Sequence, residues 1–314
     1  MVVFVEKIWN RSSHAAFTDL IRWNGEFFCI FRESDCHFGG INGVLRLLHS
    51  PNGIAWNSLA LIEREGWDLR DPKLSITPDG KLMLLTGAIR VNREKLRLAQ
   101  HSMVSFSEDA LHWSELKSIF KEEWLWRLTW FQGKGYGFTY FFTNPLDSSS
   151  EWRIKLYETL DGIFYKPLSS FYIPGKPNEV TLRFFSSQMV ALIRRDSKGD
   201  HNAWIGSSVP PYVDWLFRET SGYLGSPNFI ILPGGKMWAS GRMLSETPYG
   251  SIEKMAVLKM SLKDLQPKVI LPSLGDCSYP GMVYEEPYLW ISYYSSHEGQ
   301  ATIYLAKLDL RQWF

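Results

Sequence analysis

Short apolar segments recur along the chain in pairs, and each pair is interrupted by a few turn-forming residues. Apolar and polar positions alternate over part of each segment, which is typical of β-strands joined as hairpins. Six such hairpins begin at Phe17, Arg70, Leu125, Asn178, Ser226 and Ser278. Their starts are about 50 to 55 residues apart, the period of a four-stranded propeller blade. The pattern predicts an all-β fold, a six-bladed β-propeller.

The residues between the paired strands support the hairpin interpretation. Glycine and asparagine reach the positive φ of a tight hairpin turn at low cost. Four turns have this composition: Asn24-Gly25, Asp79-Gly80, Gly133-Lys134-Gly135 and Gly234-Gly235. The turns at Ser186-Ser187 and Glu285-Glu286 carry a weaker signal.

Each hairpin is followed by another pair of strands, for example "GVLRLLHS" and "SLALIE", which gives four antiparallel strands per blade. The sixth hairpin is followed only by "ATIYLAKLDLRQWF", enough for one more strand. The N-terminal segment "VVFVEKIW" is predicted to supply the missing strand and close the ring, since an open ring would expose a sheet edge. Residues 1–314 are therefore expected to form a single propeller domain.

Composition excludes several function classes. The chain has 34 basic and 33 acidic side chains among 314 residues, so no strong field favours nucleic acid or an anionic membrane. The 14 Trp, 14 Tyr and 19 Phe fit either strands or a sugar-facing surface. Three cysteines without ligand spacing indicate neither a disulfide framework nor a zinc site. No metal and no cofactor are predicted.

The first residues, "MVVFVEKIWN", have neither the basic region nor the long apolar region of a signal peptide. We expect a cytoplasmic protein, although a secreted chain whose signal had been removed would look the same. The sequence contains no run of 18 apolar residues, so it does not predict a membrane-spanning helix. The oligomeric state is not determined by the sequence.

Polar residues recur where each blade begins. In a propeller the first strands line the central channel, and the loops that enter them form a mouth where ligands bind. The residues at these positions are His14, Asp19, Arg70, Asp71, Trp126, Arg127, Asn178, Glu179, Asn228, Asp276 and Tyr279. Six of them are predicted to occupy roughly equivalent positions around the ring: Asp19, Asp71, Arg127, Glu179, Asn228 and Tyr279. The sequence predicts a polar site at the mouth.

Arginines recur in the second strands, at Arg32, Arg194, Arg195 and Arg242. If these side chains converge, they would form an anion site, because a guanidinium binds a carboxylate with two parallel hydrogen bonds. The alternative for each arginine is an ion pair with a neighbouring acid. Trp126 is interpreted either as a stacking platform for a sugar or as packing between blades. His37, His297 and Glu298 lie in loops, where they would bond a sugar hydroxyl or remain solvated.

Three further segments, "SPNGIAW", "SEDALHW" and "TLDGIFY", resemble the Asp box of the sialidase superfamily, shortened by one residue. An Asp or Asn that bonds its own backbone would close such a turn. With the hairpin spacing and the segments "FTDLI", "RDPKLS", "PNE" and "DCSYPG", nearly the whole chain resembles the sialidase (neuraminidase) superfamily, especially uncharacterised bacterial exo-sialidase-like proteins. The resemblance implies a tyrosine nucleophile with a glutamate partner, an aspartate acid/base and three arginines that grip a sugar carboxylate.

Carried over to this chain, the resemblance places the nucleophile at Tyr279 in "CSYPGMV". Two of the arginines would be Arg242 and either Arg194 or Arg195. The first-blade segment "AAFTDL" has no arginine and offers Asp19 instead. The acid/base position falls on Asp35 or His37.

The sequence therefore predicts a glycoside hydrolase that acts on a terminal sugar at the central mouth, with an acidic sugar among the candidates. Asp19, Asp71 and Glu179 would carry acid/base chemistry, and Tyr279 would act as nucleophile or stabilise charge. Tyr279 would need a carboxylate beside it, and Glu179 and Asp71 are the candidates. The alternative is a propeller that binds a carbohydrate or a protein without catalysis, because one fold hosts many functions.

Overall fold

The computed structural model describes residues 1–143, 150–248 and 250–313. Within these ranges the chain forms twenty-four strands in six four-stranded antiparallel sheets, and its only helical elements there are two short 3₁₀ turns at Pro233–Gly235 and Arg311–Trp313. Each sheet is one blade. The predicted six-bladed all-β propeller is confirmed.

The strands follow one another outward from the centre in the first five blades. Blade 1 contains β2 (His14–Trp23), β3 (Glu26–Ser34), β4 (Val44–Ser50) and β5 (Asn57–Ile62). Blade 2 contains β6 (Asp68–Ile76), β7 (Leu82–Val91), β8 (Arg97–Ser107) and β9 (Lys117–Lys121). Blade 3 contains β10 (Trp124–Phe131), β11 (Lys134–Phe142), β12 (Trp152–Thr159) and β13 (Tyr165–Phe171).

Blade 4 contains β14 (Pro177–Phe185), β15 (Gln188–Arg195), β16 (Trp204–Ser208) and β17 (Trp215–Glu219). Blade 5 contains β18 (Gly225–Ile231), β19 (Met237–Thr247), β20 (Gly250–Met260) and β21 (Leu265–Ile270). Blade 6 contains β22 (Cys277–Glu285), β23 (Tyr288–Ser295) and β24 (Thr302–Asp309), and its outer strand is β1 (Val2–Trp9).

The N-terminal strand closes the ring as predicted. Strand β1 pairs antiparallel with β24, with Val5 opposite Ala306. At the end of this pairing the amino group of Met1 donates a hydrogen bond to the carbonyl of Asp309 at 2.7 Å, and the Asp309 amide bonds the Met1 carbonyl. Blade 6 thus joins the two ends of the described chain, and its third strand has no open edge.

Apolar side chains fill the space between neighbouring blades. Between blades 1 and 6, for example, Phe17, Phe27 and Leu48 pack with Trp290 and Leu305. Comparable clusters separate each of the other neighbouring pairs. Because every blade buries both faces against a neighbour, the six first strands are held side by side around the channel.

The three Asp-box-like turns connect the third and fourth strands of blades 1, 2 and 3. In each, the carboxylate or amide oxygen of Asn52, Asp109 or Asp161 accepts hydrogen bonds from the backbone amides two and three residues later. The side chains therefore close the turns as expected. The assignment of these turns to the Asp-box family stays a prediction.

Among the residues that the structure describes, no helix has the length and apolar character needed to span a membrane.

Candidate active site

Each first strand is interrupted by a β-bulge where it enters the channel. The register between first and second strands shifts at this point in all six blades. In five blades the bulge holds a residue that is not glycine with positive φ: Phe17, Asp71, Glu179, Ser226 and Tyr279. Such backbone is strained for side chains with a Cβ, and it recurs at ligand sites. These five residues, and not Asp19 or Asn228, are the equivalent positions.

Tyr279 and Glu179 meet at the mouth although they come from different blades. The Tyr279 hydroxyl donates a hydrogen bond to Oε1 of Glu179 at 3.1 Å. Nη1 of Arg194 donates to Oε2 of the same carboxylate at 2.6 Å, and Nε of Arg194 bonds Asp196 at 2.9 Å. Asn178 bonds the other oxygen of Asp196. Arg194 therefore orients Glu179 toward the phenol.

The environment of the Tyr279 ring opposes ionisation of its phenol. The ring lies among aromatic neighbours, with its centroid 4.7 Å from that of Phe17 and 5.4 Å from that of Trp126. Burial, followed by the nearby carboxylates of Asp71 and Glu179, raises the pKa of Tyr279 well above its usual value. The resting residue is the neutral phenol, so any attack by its oxygen requires a base that accepts the proton.

Asp71 is the second carboxylate of this group. It is 7% exposed, and its Oδ1 is buried without a hydrogen-bond partner among the described residues. Burial raises the pKa of Asp71, Arg70 and Lys73 oppose the rise, and the charge of Glu179 adds to it. A buried carboxyl with a raised pKa is suited to donate a proton.

Lys73 also contacts this group and was not predicted from the sequence. Its Nζ donates hydrogen bonds to the carbonyls of Asp71 and Pro72 at 3.3 and 3.1 Å. It also lies 4.4 Å from the ring centroid of Trp126 and 5.2 Å from that of Tyr279. Burial lowers the pKa of Lys73 to about 8. The sequence could have indicated Lys73, because it is a charged residue two positions after Asp71 in an inner strand.

Asp19 is engaged by a buried ion pair within the channel. Arg127 donates to both its oxygens, at 2.9 and 3.0 Å, and the amide of Leu74 bonds Oδ2 at 2.8 Å. Asn228 is similarly engaged, because it accepts from Arg183 and donates to the carbonyl of Pro280. Asp19, which was predicted to be catalytic, therefore has partners within the protein. The same is true of Arg127 and Asn228, which were predicted to bind the substrate.

The remaining arginines do not converge into one clamp. Arg32 is buried and bonds Asp68 and the carbonyl of Cys36. Arg195, 1% exposed, bonds Asp200 and Glu219. Residues 194 and 195 are adjacent in one strand and point to opposite faces, so only Arg194 reaches Glu179.

Two more arginines lie near the mouth with acidic partners. Arg70 pairs with Asp68 at 3.1 Å and donates to the carbonyl of His37 at 2.9 Å. Arg242 lies 3.4 Å from Glu253. The structure therefore supports the alternative of separate ion pairs more than a convergent anion site.

Three residues that were predicted to bind the substrate are engaged by other parts of the protein. Trp126 is only 2% exposed and packs between blades, so in this conformation its face is not open to a sugar. His297 bonds the hydroxyl of Ser295 and packs on Tyr304. Glu298 forms an ion pair with Lys7 of the outer strand β1.

His14, His37 and Asp276 form a second polar group beside the mouth. Oδ2 of Asp276 lies 2.7 Å from Nδ1 of His37 and 3.1 Å from Nε2 of His14, and Tyr294 donates to Oδ1 at 2.6 Å. Burial alone would raise the pKa of Asp276, but hydrogen bonds from His14 and His37 hold it well below its usual range. Among the described residues this is the only group found with the composition and spacing of metal ligands.

No family model and no curated protein match the sequence. Solved structures do resemble it. A protein of unknown function from Dyadobacter fermentans DSM 18053 superposes with a TM-score of 0.81 at 18% identity, covering 98% of this chain and 99% of that chain. The α-L-arabinofuranosidase of Fusarium graminearum with arabinobiose gives 0.78 at 11% identity, covering 99% of both chains.

The sialidase of Trypanosoma rangeli is also similar, with a TM-score of 0.71 at 10% identity over 95% of this chain and 55% of that chain. The fold is therefore that of the sialidase-like six-bladed propellers, as the sequence resemblance implied. These two similar structures are glycoside hydrolases, and they share with this chain the six-bladed propeller fold. At these identities the likeness concerns the fold and not the substrate.

Proposed function

We propose that this protein is a glycoside hydrolase that removes a terminal sugar at the central mouth. The observation that carries the proposal is the Tyr279 hydroxyl bonded to Glu179, together with the buried carboxyl of Asp71, whose Oδ1 has no hydrogen-bond partner among the described residues. All three residues have left-handed backbone at bulges of different blades. A fold that maintains strain at three converging positions favours a site over packing.

The proposed chemistry divides the work among these three residues. Glu179 accepts the phenolic proton while the Tyr279 oxygen bonds the anomeric carbon, and Asp71 donates its proton to the leaving oxygen as the glycosidic bond breaks. Asp71 then takes a proton from water, which attacks the same carbon. Tyr279 leaves and regains its proton from Glu179. Tyrosine nucleophiles are a known exception to the two-carboxylate pattern of glycosidases.

The arginines favour a neutral sugar over an acidic one. Arg194 already bonds Glu179 and Asp196, and Arg70 and Arg242 each have an acidic partner. The first-blade bulge places Phe17, and not a cation, beside Tyr279. An acidic sugar would have to compete with these carboxylates for a guanidinium, whereas a neutral sugar needs no ion pair to break.

The test is a panel of aryl glycosides that includes neutral furanosides and pyranosides, sialosides and uronides. We expect the wild-type protein to release the aryl group from at least one neutral glycoside, and the Tyr279→Phe and Asp71→Asn variants to lose most of this activity. Turnover that survives both substitutions would reject the site. No turnover on the panel, together with saturable binding of a sugar to the wild-type protein, would favour the non-catalytic propeller.

A further inference from the structure

Two imidazoles converge on one carboxylate oxygen at the junction of blades 6 and 1. His14 is the first residue of β2, His37 lies in the loop after β3, and Asp276 comes directly before β22. Their candidate ligand atoms all lie within 4.8 Å of one another. Three separate parts of the chain therefore bring two nitrogen donors and one oxygen donor to a single point.

The spacing is suited to a small divalent cation. Zinc binds imidazole nitrogen and carboxylate oxygen at about 2.0 to 2.2 Å, so ligand atoms around it lie about 3 to 3.5 Å apart. The two distances to Oδ2 of Asp276 are 2.7 and 3.1 Å. Small side-chain rotations would thus make room for an ion between the three ligand atoms. The ion would replace the protons that now join the imidazoles to the carboxylate.

The donors are held in place by neighbouring side chains. Tyr294 donates to Oδ1 of Asp276 and leaves Oδ2 directed at the imidazoles. Arg70 holds the carbonyl of His37, and Arg32 holds the carbonyl of Cys36 in the same loop. Partners of this kind orient metal ligands and raise metal affinity.

The group also opens onto a cavity. A cavity of about 630 Å³ is lined by His14, His37 and Asp276 together with Asp35, Cys36 and Gln300. His14 is buried, whereas the side chain of His37 is 48% exposed. An ion held by three protein ligands would therefore keep positions for water or for a ligand from the cavity, as in open metal sites.

We propose that His14, His37 and Asp276 bind one divalent first-row transition-metal ion, with zinc as the best fit to two imidazoles and one carboxylate. Imidazole ligands disfavour calcium and magnesium, which prefer oxygen. The open positions would take an oxygen ligand such as a hydroxyl or carboxylate. The site adjoins the mouth, because the His37 ring packs on Phe17, but it does not depend on the proposed hydrolysis.

The test is calorimetric titration of the chelator-treated full chain with zinc chloride, with bound metal measured after dialysis. We expect one zinc ion per chain in the wild-type protein. His37→Ala should weaken binding by at least about tenfold to a hundredfold, and Tyr294→Phe should weaken it by about tenfold through loss of carboxylate orientation. The side chain of His37 is 48% exposed, so its replacement removes little packing beyond the edge contact with Phe17.

The matched control is His112→Ala, because His112 also bonds an aspartate, Asp109 at 2.7 Å, but on the exposed surface. Binding in this variant should equal that of the wild-type protein. The proposal is overturned if the wild-type protein retains no zinc, or if His37→Ala binds zinc as tightly as His112→Ala. Neither result bears on glycoside turnover, so the two proposals are tested separately.

Discussion

The hydroxyl of Tyr279 donates a hydrogen bond to Oε1 of Glu179 at 3.1 Å, although the residues are 100 positions apart in the sequence. One comes from blade 6 and the other from blade 4. Each residue lies at the bulge of a first strand, and the two meet because the first strands of all blades surround one channel. The pair gives a partly buried phenol its base.

Replacement of Tyr279 by Phe separates nucleophilic attack from a purely structural hydrogen bond. We expect kcat on the best aryl glycoside to fall about hundredfold to ten-thousandfold, while unfolding free energy changes by only about 1 kcal/mol, the net contribution of one hydrogen bond. Glu179→Gln should reduce kcat similarly because the phenolic proton then has no acceptor. Full kcat in Tyr279→Phe with loss in Glu179→Gln would show that Glu179 attacks directly.

Replacement of Asp71 by Asn is expected to remove activity and to change how stability depends on pH. Burial raises the pKa of Asp71, so the folded protein holds this proton more tightly than the unfolded chain. Its contribution to stability is complete below about pH 3.9 and is lost as pH rises through the higher folded pKa. At neutral pH the Asn variant should therefore be the more stable protein, and the difference should shrink in acid.

Asp79→Asn is the control for the sign of this effect. A hydrogen bond from Thr77 lowers the pKa of the exposed Asp79, so its contribution is present at neutral pH and lost in acid. Urea unfolding of both variants at neutral and acidic pH measures the two effects. A neutral-pH stability of Asp71→Asn equal to or below that of the wild-type protein would contradict the raised pKa.

The buried pair of Asp19 and Arg127 is expected to support the fold. Arg127→Met leaves Asp19 buried without its cation and should cost about 3 to 5 kcal/mol of unfolding free energy. Adding Asp19→Asn should recover part of this loss, since the unpaired charge is then removed. Arg153→Met breaks the exposed pair with Glu151 at 3.1 Å and a peripheral contact with the Tyr172 ring at 6.0 Å, and it should cost about 1 kcal/mol or less. Equal losses in Arg127→Met and Arg153→Met would disprove the structural role.

Gly281 of blade 6 lies directly against the backbone of blade 1. A Cβ at this position would lie 2.0 Å from the amide nitrogen of Leu20 and 2.6 Å from the carbonyl carbon of Asp19. Because these atoms are backbone, the blades must separate, and Gly281→Ala should cost about 3 kcal/mol or more. Gly222→Ala, with no atom within 4 Å of the added Cβ, should leave thermal unfolding nearly unchanged. A melting temperature for Gly281→Ala equal to that of Gly222→Ala would contradict the close contact.

The sequence alone determined the architecture because the blade is a local unit. A hairpin about every fifty residues, recognised by strand periodicity and turn composition, predicts six blades. Because the last blade lacks a fourth strand in the sequence that follows it, the N-terminal strand β1 is predicted to supply that strand. Tyr279, Glu179 and Asp71 could be named for the same reason, since each begins an inner strand. The choice between Arg194 and Arg195 remained open until the structure placed the first beside Glu179.

Tertiary structure decided which residues share a site. A β-bulge inserts residues and shifts the side-chain alternation, so Asp19 and Asn228 lie beyond the bulge and bond other blades. Phe17 and Ser226 occupy the equivalent positions instead. The group of His14, His37 and Asp276 has no ligand spacing in the sequence because closure of the ring brings its members together. Contacts of such long range depend on the packing of whole blades, which no local pattern encodes.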